Sequence, residues 1–258
     1  MKTKIAVISD IHANADALIV ALKSIEKKNV DLVICLGDIL TYGCQPLEVI
    51  DILTEYKKDN AIIFVKGNHD QFYFDLQAGE DRSSYSLAKL VEESINWTMK
   101  KIHPLVLENA FMWRESYCVG NTFFSHANPF EYGNWSYLED SVDLSSAFQS
   151  LNKKQFFSGV FGHSHRQLFV GKEKNNMFET GNYFCSDNTM EQLIINTGSI
   201  GQPRGKGAGY IILEMRDKIL YKADFQKITI NFDNSIDLIA QANFSKETTD
   251  KLTNYLKV

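Results

Sequence analysis

The 258-residue chain is 44% hydrophobic and 23% charged, the balance of an ordinary globular protein with length for one large core or two small ones. No apolar run approaches the roughly 20 residues that cross a bilayer, which argues against a helical membrane span. The net charge of −5 argues against a basic face for extended nucleic acid, and leaves room for a local basic pocket or for metal ions that bring their own charge.

The first strand is entered by Ile5, which leaves no space for a signal or transit peptide. Cys35, Cys44, Cys118 and Cys185 are scattered without Cys-x-x-Cys spacing. Both features point to a reducing cytoplasm. Residues 5–9, 32–36 and 61–65 read as strands. Between them, 15–27 carries Leu18, Leu22 and Ile25 at helical spacing, and 46–56 opens with Pro46 at a first helical turn. That β-α-β-α-β rhythm predicts parallel strands with right-handed crossovers. Residues 83–102 form a long amphipathic segment with Leu87, Leu90, Val91, Ile95 and Met99 on one face. Ser83 or Ser84 is available as its cap, and His103-Pro104 stands at its end.

Short β segments are expected at 105–107, 111–113, 116–119 and 122–125, then an aromatic-rich loop over 128–140 and a helix at 145–151. The last third is mostly β, at 159–161, 167–170, 192–196, 209–214, 218–225 and 227–230, closed by helices near 235–242 and 246–255. The polar stretch 172–188 is long for a hairpin connection. With no repeat, low-complexity tract or linker, one domain spanning 1–258 is expected.

Five apolar runs end on a small residue followed by Asp, Asn or His. They lead to Ser9-Asp10-Ile11-His12, Gly37-Asp38, Gly67-Asn68-His69-Asp70, Ser125-His126 and Gly162-His163-Ser164-His165. Sites in open α/β sheets form beyond the carboxyl ends of the strands, so these groups should converge. Five of the six histidines lie here, and His103, where a helix ends, reads as a surface or capping residue. Any one of the five alone would pass for a hydrogen-bonded turn residue; the repetition points to metal.

Mixed Asp, Asn and His donors without cysteine suit Mn, Fe, Zn or Ni better than Ca or Mg alone. Asp10, His12, Asp38, Asn68, His126, His163 and His165 make seven donors, against about four for an ordinary single site. Two ions sharing one carboxylate would use all of them. A pair ~3.5–4 Å apart is the arrangement that hydrolyses phosphate esters.

In that order, over residues 5 to about 214, these motifs resemble the calcineurin-like metallophosphoesterase superfamily, and within it the small bacterial and archaeal phosphodiesterase-type members. The resemblance implies an α/β fold, a four-layer sandwich of two mixed β-sheets flanked by helices. It implies that Asp10, His12, Asp38 and His165 hold one ion and Asp38, Asn68, His126 and His163 the other, with Asp38 bridging. Manganese, iron, nickel and zinc all remain open. A metal-bridging hydroxide would attack phosphorus. His69 would be the non-ligand histidine that steadies the scissile phosphate and protonates the leaving oxygen, with Asp70 orienting its imidazole.

Diester substrates are favoured by this resemblance. Monoesters, phosphoproteins and dinucleoside polyphosphates come next, and a nuclease or a non-catalytic scaffold after them. Residues Asn196-Thr197-Gly198-Ser199 resemble the family's Asn-Pro-Gly-Ser stretch, with Thr197 in the proline's place. Gly198, Ser199 and Arg204, with Asn14 beside the first motif, are thus candidate substrate-binding residues. Arg166 is either a second clamp or an exposed strand residue. Phe72-Tyr73-Phe74 and the group Phe130, Tyr132, Trp135 and Tyr137 either wall a pocket or anchor their loops. The 172–188 stretch reads as a lid, a dimer contact or decoration. The implied partner is a small phosphate ester, with no membrane, no extended nucleic acid, and a homo-oligomer left open.

Overall fold

In a computed structural model, which describes residues 2–79, 87–172, 177–178, 182–184, 192–205 and 207–257, the chain opens as its hydrophobic pattern predicts. Strands β1 (Lys2–Ile8), β2 (Leu32–Cys35) and β3 (Ile62–Val65) run parallel, joined by helices α1 (Ala15–Glu26) and α2 (Pro46–Asp59). The register pairs Ile8 with Cys35 and Cys35 with Phe64, so the three strands end side by side. Asp10, Asp38 and Asn68 therefore leave the sheet at one edge. Asn14 caps α1 by accepting from the Ala17 amide, and Pro46 occupies the first turn of α2.

Helices α3 (Asn68–Ala78), α4 (Lys89–Met99) and α5 (Pro104–Ala110) follow. Next come β4 (Trp113–Arg114), β5 (Tyr117–Val119), β6 (Thr122–Phe124), α6 (Ser141–Lys153), β7 (Ser158–Phe161) and β8 (Gln167–Gly171). The chain continues through β9 (Met177–Phe178), β10 (Asn182–Phe184), β11 (Leu193–Thr197), β12 (Gly209–Arg216) and β13 (Ile219–Lys227), and ends with α7 (Asp233–Gln241) and α8 (Lys246–Tyr255).

Two mixed sheets result, ordered β10-β13-β12-β1-β2-β3-β4 and β5-β6-β7-β11-β8-β9. Alternation along the strands sorts side chains to the two faces. Ile5 and Val7 of β1 and Ile34 of β2 meet Phe124, Val160, Leu193 and Ile195 of the second sheet in the central core. Ala6, Ile8, Val33 and Cys35 point the other way, onto Leu18, Leu22 and Ile25 of α1 and Val49 and Leu53 of α2. On the far side, Phe123, Phe161 and Ile194 receive Leu144, Phe148 and Leu151 of α6. The layers are helix, sheet, sheet, helix, as expected.

Several expectations need correction. The stretch 105–107 is helical, not β: Pro104 sits at the first turn of α5, where its missing N–H costs nothing. Helix α3 carries Phe72-Tyr73-Phe74, a run whose period fits neither strand nor helix and so gave no signal. Residues 218–225 and 227–230 are not two strands; β13 is continuous to Lys227 and 228–230 lies outside any strand. Helix α6 starts at Ser141, earlier than 145, because Asp140 and Asp143 form a capping box. Helix α4 covers only 89–99 of the expected 83–102, and Ser83 and Ser84 lie outside the described residues. The lid, dimer-contact and decoration readings of 172–188 fall largely outside them too. Among the described residues no helix is long and apolar enough to cross a membrane.

Candidate metal centre

The strand ends deliver their ligands through unusual backbone. Asp10 (φ 55°), His12 (47°), Asp38 (53°), His163 (67°) and His165 (59°) all adopt left-handed conformations, as do Ala13, Thr41 and Tyr42. Such residues cost of order 1–3 kcal/mol each and persist only where the surroundings hold them. Here the loops lace each other together. The amides of Asp10, His12 and Ala13 donate to the carbonyls of Gly37, Asp38 and Ile39 at 3.0, 2.9 and 2.8 Å. Gly37 (φ 96°) and Gly67 approach so closely that a Cβ on Gly37 would lie 2.3 Å from the Gly67 nitrogen, and one on Gly67 2.1 Å from Asp38 Oδ1. Glycine is required at both.

Two groups of buried donors form, Asp10, His12, Asp38 and His165, and Asp38, His126 and His163. Asp38 belongs to both. His165 Nε2 lies 3.2 Å from Asp10 Oδ1, and His126 Nε2 lies 3.3 Å from Asp38 Oδ2. Asn68 joins the second group, its Oδ1 3.0 Å from His126 Nε2.

Backbone carbonyls fix each ring. Nδ1–H of His12 donates to Leu40 (3.2 Å), that of His126 to Leu36 (2.6 Å) and that of His165 to Gln202 (2.7 Å), which turns Nε2 of each toward the centre. His163 is reversed: its Nε2–H donates to the Trp135 carbonyl at 2.9 Å, leaving Nδ1 as its lone-pair nitrogen.

The donor set fits a cation. The Nε2 atoms of His12 and His165 face each other at 3.1 Å, both as lone pairs when their Nδ1–H groups are committed, and lone pairs so placed repel unless positive charge lies between. Among the described residues Asp10 Oδ1, buried, has no hydrogen-bond donor. Burial opposes ionisation of Asp10 and Asp38, but His165 beside Asp10, and His126 and His69 beside Asp38, outweigh it and hold both carboxyls low. Burial, reinforced by His165, keeps His12 neutral; burial, with His126, pushes His163 down to about 3. At His126 burial loses to the Asp38 carboxylate, and the ring rises to about 9, so a cation entering there displaces a proton.

His69 stands beside the donors without joining either group. Its Nε2 is 3.9 Å from Asp38 Oδ2, its amide donates to Asp38 Oδ1 at 2.9 Å, and its buried Nδ1 has no hydrogen-bond partner among the described residues. Burial holds its ring down to about 4 against the pull of Asp38.

Asp70 does not orient that ring. Its Oδ2 accepts from the amides of Asp38 (2.7 Å) and Gly67 (2.9 Å), and its Oδ1 from Ile39 (3.0 Å). It fastens the 37–39 loop to the start of α3 instead.

Three expected substrate contacts are also spent on the scaffold. Asn14 Oδ1 accepts from the Ala17 amide and the Ser235 hydroxyl, and its Nδ2 donates to the Gly201 carbonyl. The Gly198 amide donates to Asn196 Oδ1, and Ser199 Oγ donates to the Asp10 carbonyl at 2.8 Å while accepting from the Gln202 amide. The amides of Ile200 and Gly201 bond Ser9 and Asp10, so this stretch buttresses the first motif. Arg204 stays near the centre, its amide on the His165 carbonyl. Arg166 is exposed.

The aromatic groups divide. Tyr73 is buried, its hydroxyl against Thr41 Oγ1 at 2.8 Å, and Phe74 meets Trp113: these anchor α3. Tyr137 instead stacks on His163 with centroids 4.3 Å apart, and Trp135 lies 6.0 Å from His126 at a cavity of ≈ 150 Å³ that Phe130, Tyr132 and Lys154 also line. Tyr42, against His12 (4.6 Å) and His69 (4.8 Å), has no counterpart in the sequence motifs. Tyr42 follows Asp38 by four residues in a left-handed stretch that no motif announces.

Comparison with known proteins agrees with the geometry. The calcineurin-like phosphoesterase superfamily domain matches residues 3–218. An uncharacterized protein from Methanocaldococcus jannaschii is 28% identical over 255 residues, 93% of each chain. A metallophosphoesterase from Sphaerobacter thermophilus has a similar structure, with a TM-score of 0.73 at 22% identity over 98% of both chains. A hypothetical protein from Pyrococcus horikoshii OT3 reaches 0.75 at 17% identity over 96% of this chain and 97% of that one.

Proposed function

Because the chain belongs to the calcineurin-like phosphoesterase superfamily, a family of metal-dependent hydrolases, we propose that it is a cytoplasmic phosphodiesterase with a dinuclear centre, acting on a small or nucleotide-derived phosphate ester. The observation that carries the reading is Asp38, one buried carboxylate common to two groups of buried donors. Ions of Mn, Fe, Ni or Zn held there would supply an activated water and positive charge against the phosphoryl oxygens.

The chain's own residues supply the rest. Carbonyls of Leu40, Leu36 and Gln202 hold the rings of His12, His126 and His165 with Nε2 toward the centre before any ion arrives, so binding needs little reorientation and, at His126, the loss of a proton. His69 faces the same space without being a donor, placed to give a hydrogen bond to the scissile phosphate or the leaving oxygen. An aromatic ring packs on a histidine of each donor group, Tyr42 against His12 and Tyr137 on His163, which suits an ester with two arms better than a monoester.

The test supplies Mn²⁺, Fe²⁺, Ni²⁺ or Zn²⁺ in turn and measures hydrolysis of bis(p-nitrophenyl) phosphate, p-nitrophenyl phosphate, cyclic nucleotides and dinucleoside polyphosphates. Turnover of two-armed substrates above the monoester is expected. Activity confined to the monoester overturns the diesterase reading, and no turnover of any substrate with ions bound overturns the enzyme reading.

A further inference from the structure

The two donor groups are held by different parts of the chain. In the first, the rings of His12 and His165 are set by the carbonyls of Leu40 and Gln202. In the second, the ring of His163 is set by the carbonyl of Trp135, in the loop over 128–140 that begins two residues after His126. Tyr137 of that loop stacks on His163 with the ring planes 16° apart. The loop also reaches the start of α3, whose first residue is Asn68: the Tyr132 hydroxyl donates to Gln71 Oε1, and Lys66 Nζ lies 4.9 Å from the Tyr132 ring centroid. Asn68, His126 and His163, the donors that the second group does not share, thus all adjoin this loop.

One side chain ties the loop together. Asn128 is 4% exposed and uses both ends of its amide. Its Nδ2 donates to the carbonyls of Asn134 and Ser136, both at 2.9 Å, and its Oδ1 accepts from the Phe130 amide at 3.0 Å. Its own carbonyl accepts from Ser125 Oγ at 2.6 Å, beside His126. The carbonyls of Asn134 and Ser136 flank that of Trp135, so one buried amide fixes the peptides on either side of the group that holds His163. Asn134 and Ser136 are themselves exposed, and α6 bonds the loop only at its start, through Ser150 Oγ to Pro129 and Lys154 Nζ to Phe130. The main chain of His163 is held elsewhere, its amide donating to Asp10 Oδ2 at 3.0 Å. Loosening the loop would therefore free the ring and leave the backbone in place.

Resting on the two-ion reading above, we propose that Asn128 is a positioning residue for one ion only: by fixing the Trp135 carbonyl it holds the ring of His163 with Nδ1 as the lone-pair nitrogen, and so sets how tightly the second donor group keeps its ion. A ring that can turn, or take the other tautomer, must be ordered as the ion binds, and affinity falls accordingly. The first group is held through Leu40 and Gln202 and does not depend on Asn128. Occupancy of the second group, and with it the dinuclear state, is thereby tied to the order of the 128–140 loop.

The experiment titrates Zn²⁺ into the ion-free full chain as wild type, Asn128→Ala and the milder Asn128→Ser, after thermal melts establish that each variant is folded. Calorimetry gives the affinities, and the ring-nitrogen resonances of ¹⁵N-histidine-labelled protein show which histidines each ion reaches. Wild type should bind two ions, one moving His12 and His165 and the other His126 and His163. Both variants are expected to weaken the second ion roughly ten- to a hundredfold and to leave the first unchanged. Before any ion is added, His163 should carry Nε2–H in wild type, where His12 and His165 carry Nδ1–H, and should lose that preference in the variants. Equal weakening of both ions, wild-type affinity for both in a folded variant, or an unchanged His163 tautomer in the variants overturns the proposal. A wild type whose His163 carries Nδ1–H overturns it without any variant. A wild type that takes one ion or none overturns the two-ion reading instead, and the tautomer of His163 in the ion-free proteins still decides the role of Asn128.

Discussion

Asn14→Ala is expected to cost stability and leave substrate affinity alone. The side chain is buried, 2% exposed, and makes three bonds: Oδ1 accepts from the Ala17 amide (3.0 Å) and the Ser235 hydroxyl (3.2 Å), and Nδ2 donates to the Gly201 carbonyl (3.1 Å). Alanine removes the cap of α1, worth about 1 kcal/mol. It also leaves a buried hydroxyl and a buried carbonyl without partners, each costing about 1 kcal/mol or more. The sum is about 3 kcal/mol, which in a chain of this size lowers Tm by roughly 6–12 °C.

Thermal melts of the metal-free variant and wild type measure the loss. Initial rates on a diester at saturating metal measure the KM. A Tm within about a degree of wild type together with a several-fold rise in KM would refute the scaffold role and restore Asn14 to the substrate.

Other substitutions separate the remaining roles. His69→Asn should keep its ions and lose roughly 10²-fold or more in turnover, most on poor leaving groups, as rates across a series of aryl esters would show; a wild-type rate with ions bound removes His69 from the chemistry. Asp70→Asn should weaken ion retention by loosening Asp38, while the metal-saturated variant keeps the wild-type dependence on leaving group; a changed dependence at unchanged metal affinity would put Asp70 in relay with His69. Gly201→Ala places a Cβ 1.8 Å from the Ile11 carbonyl oxygen, so backbone must move, at a cost of about 1–3 kcal/mol or more. Denaturant titration should show that loss, and an unperturbed midpoint would mean the 196–201 stretch does not brace the first motif.

Much of the site was legible because its ligands sit at strand ends, where an apolar run stops and a polar group must leave the sheet in a known direction. Asp10, Asp38 and Asn68 needed only β1, β2 and β3 to be parallel and in register, and that rhythm is local. What a side chain bonds at the end of a long loop is not local. Asp70 reads as a partner for the adjacent His69, yet its oxygens are taken by amides 31 and 32 residues away and by Gly67. Gly198 and Ser199 read as a phosphate loop, but their groups are consumed by Asn196, Gln202 and the Asp10 carbonyl. The misread segment 105–107 failed for a different reason: a short apolar run fits a strand or a buried helix equally well, and Pro104 decided it. Tyr42 was invisible because its place, in one cluster with Ile239 of α7 and Leu252 and Leu256 at the end of α8 and against His12 and His69, is set by segments far along the chain as much as by its own loop.

The number of ions per chain tests the dinuclear centre most directly. Mass-spectrometric metal analysis of protein loaded with a single metal and freed of excess should find two ions per chain in wild type. In Asp38→Asn, where the carboxylate common to both groups is lost, both should be weakened together. One ion per chain in wild type, or an Asp38→Asn protein that holds one ion at wild-type affinity, would contradict the shared centre.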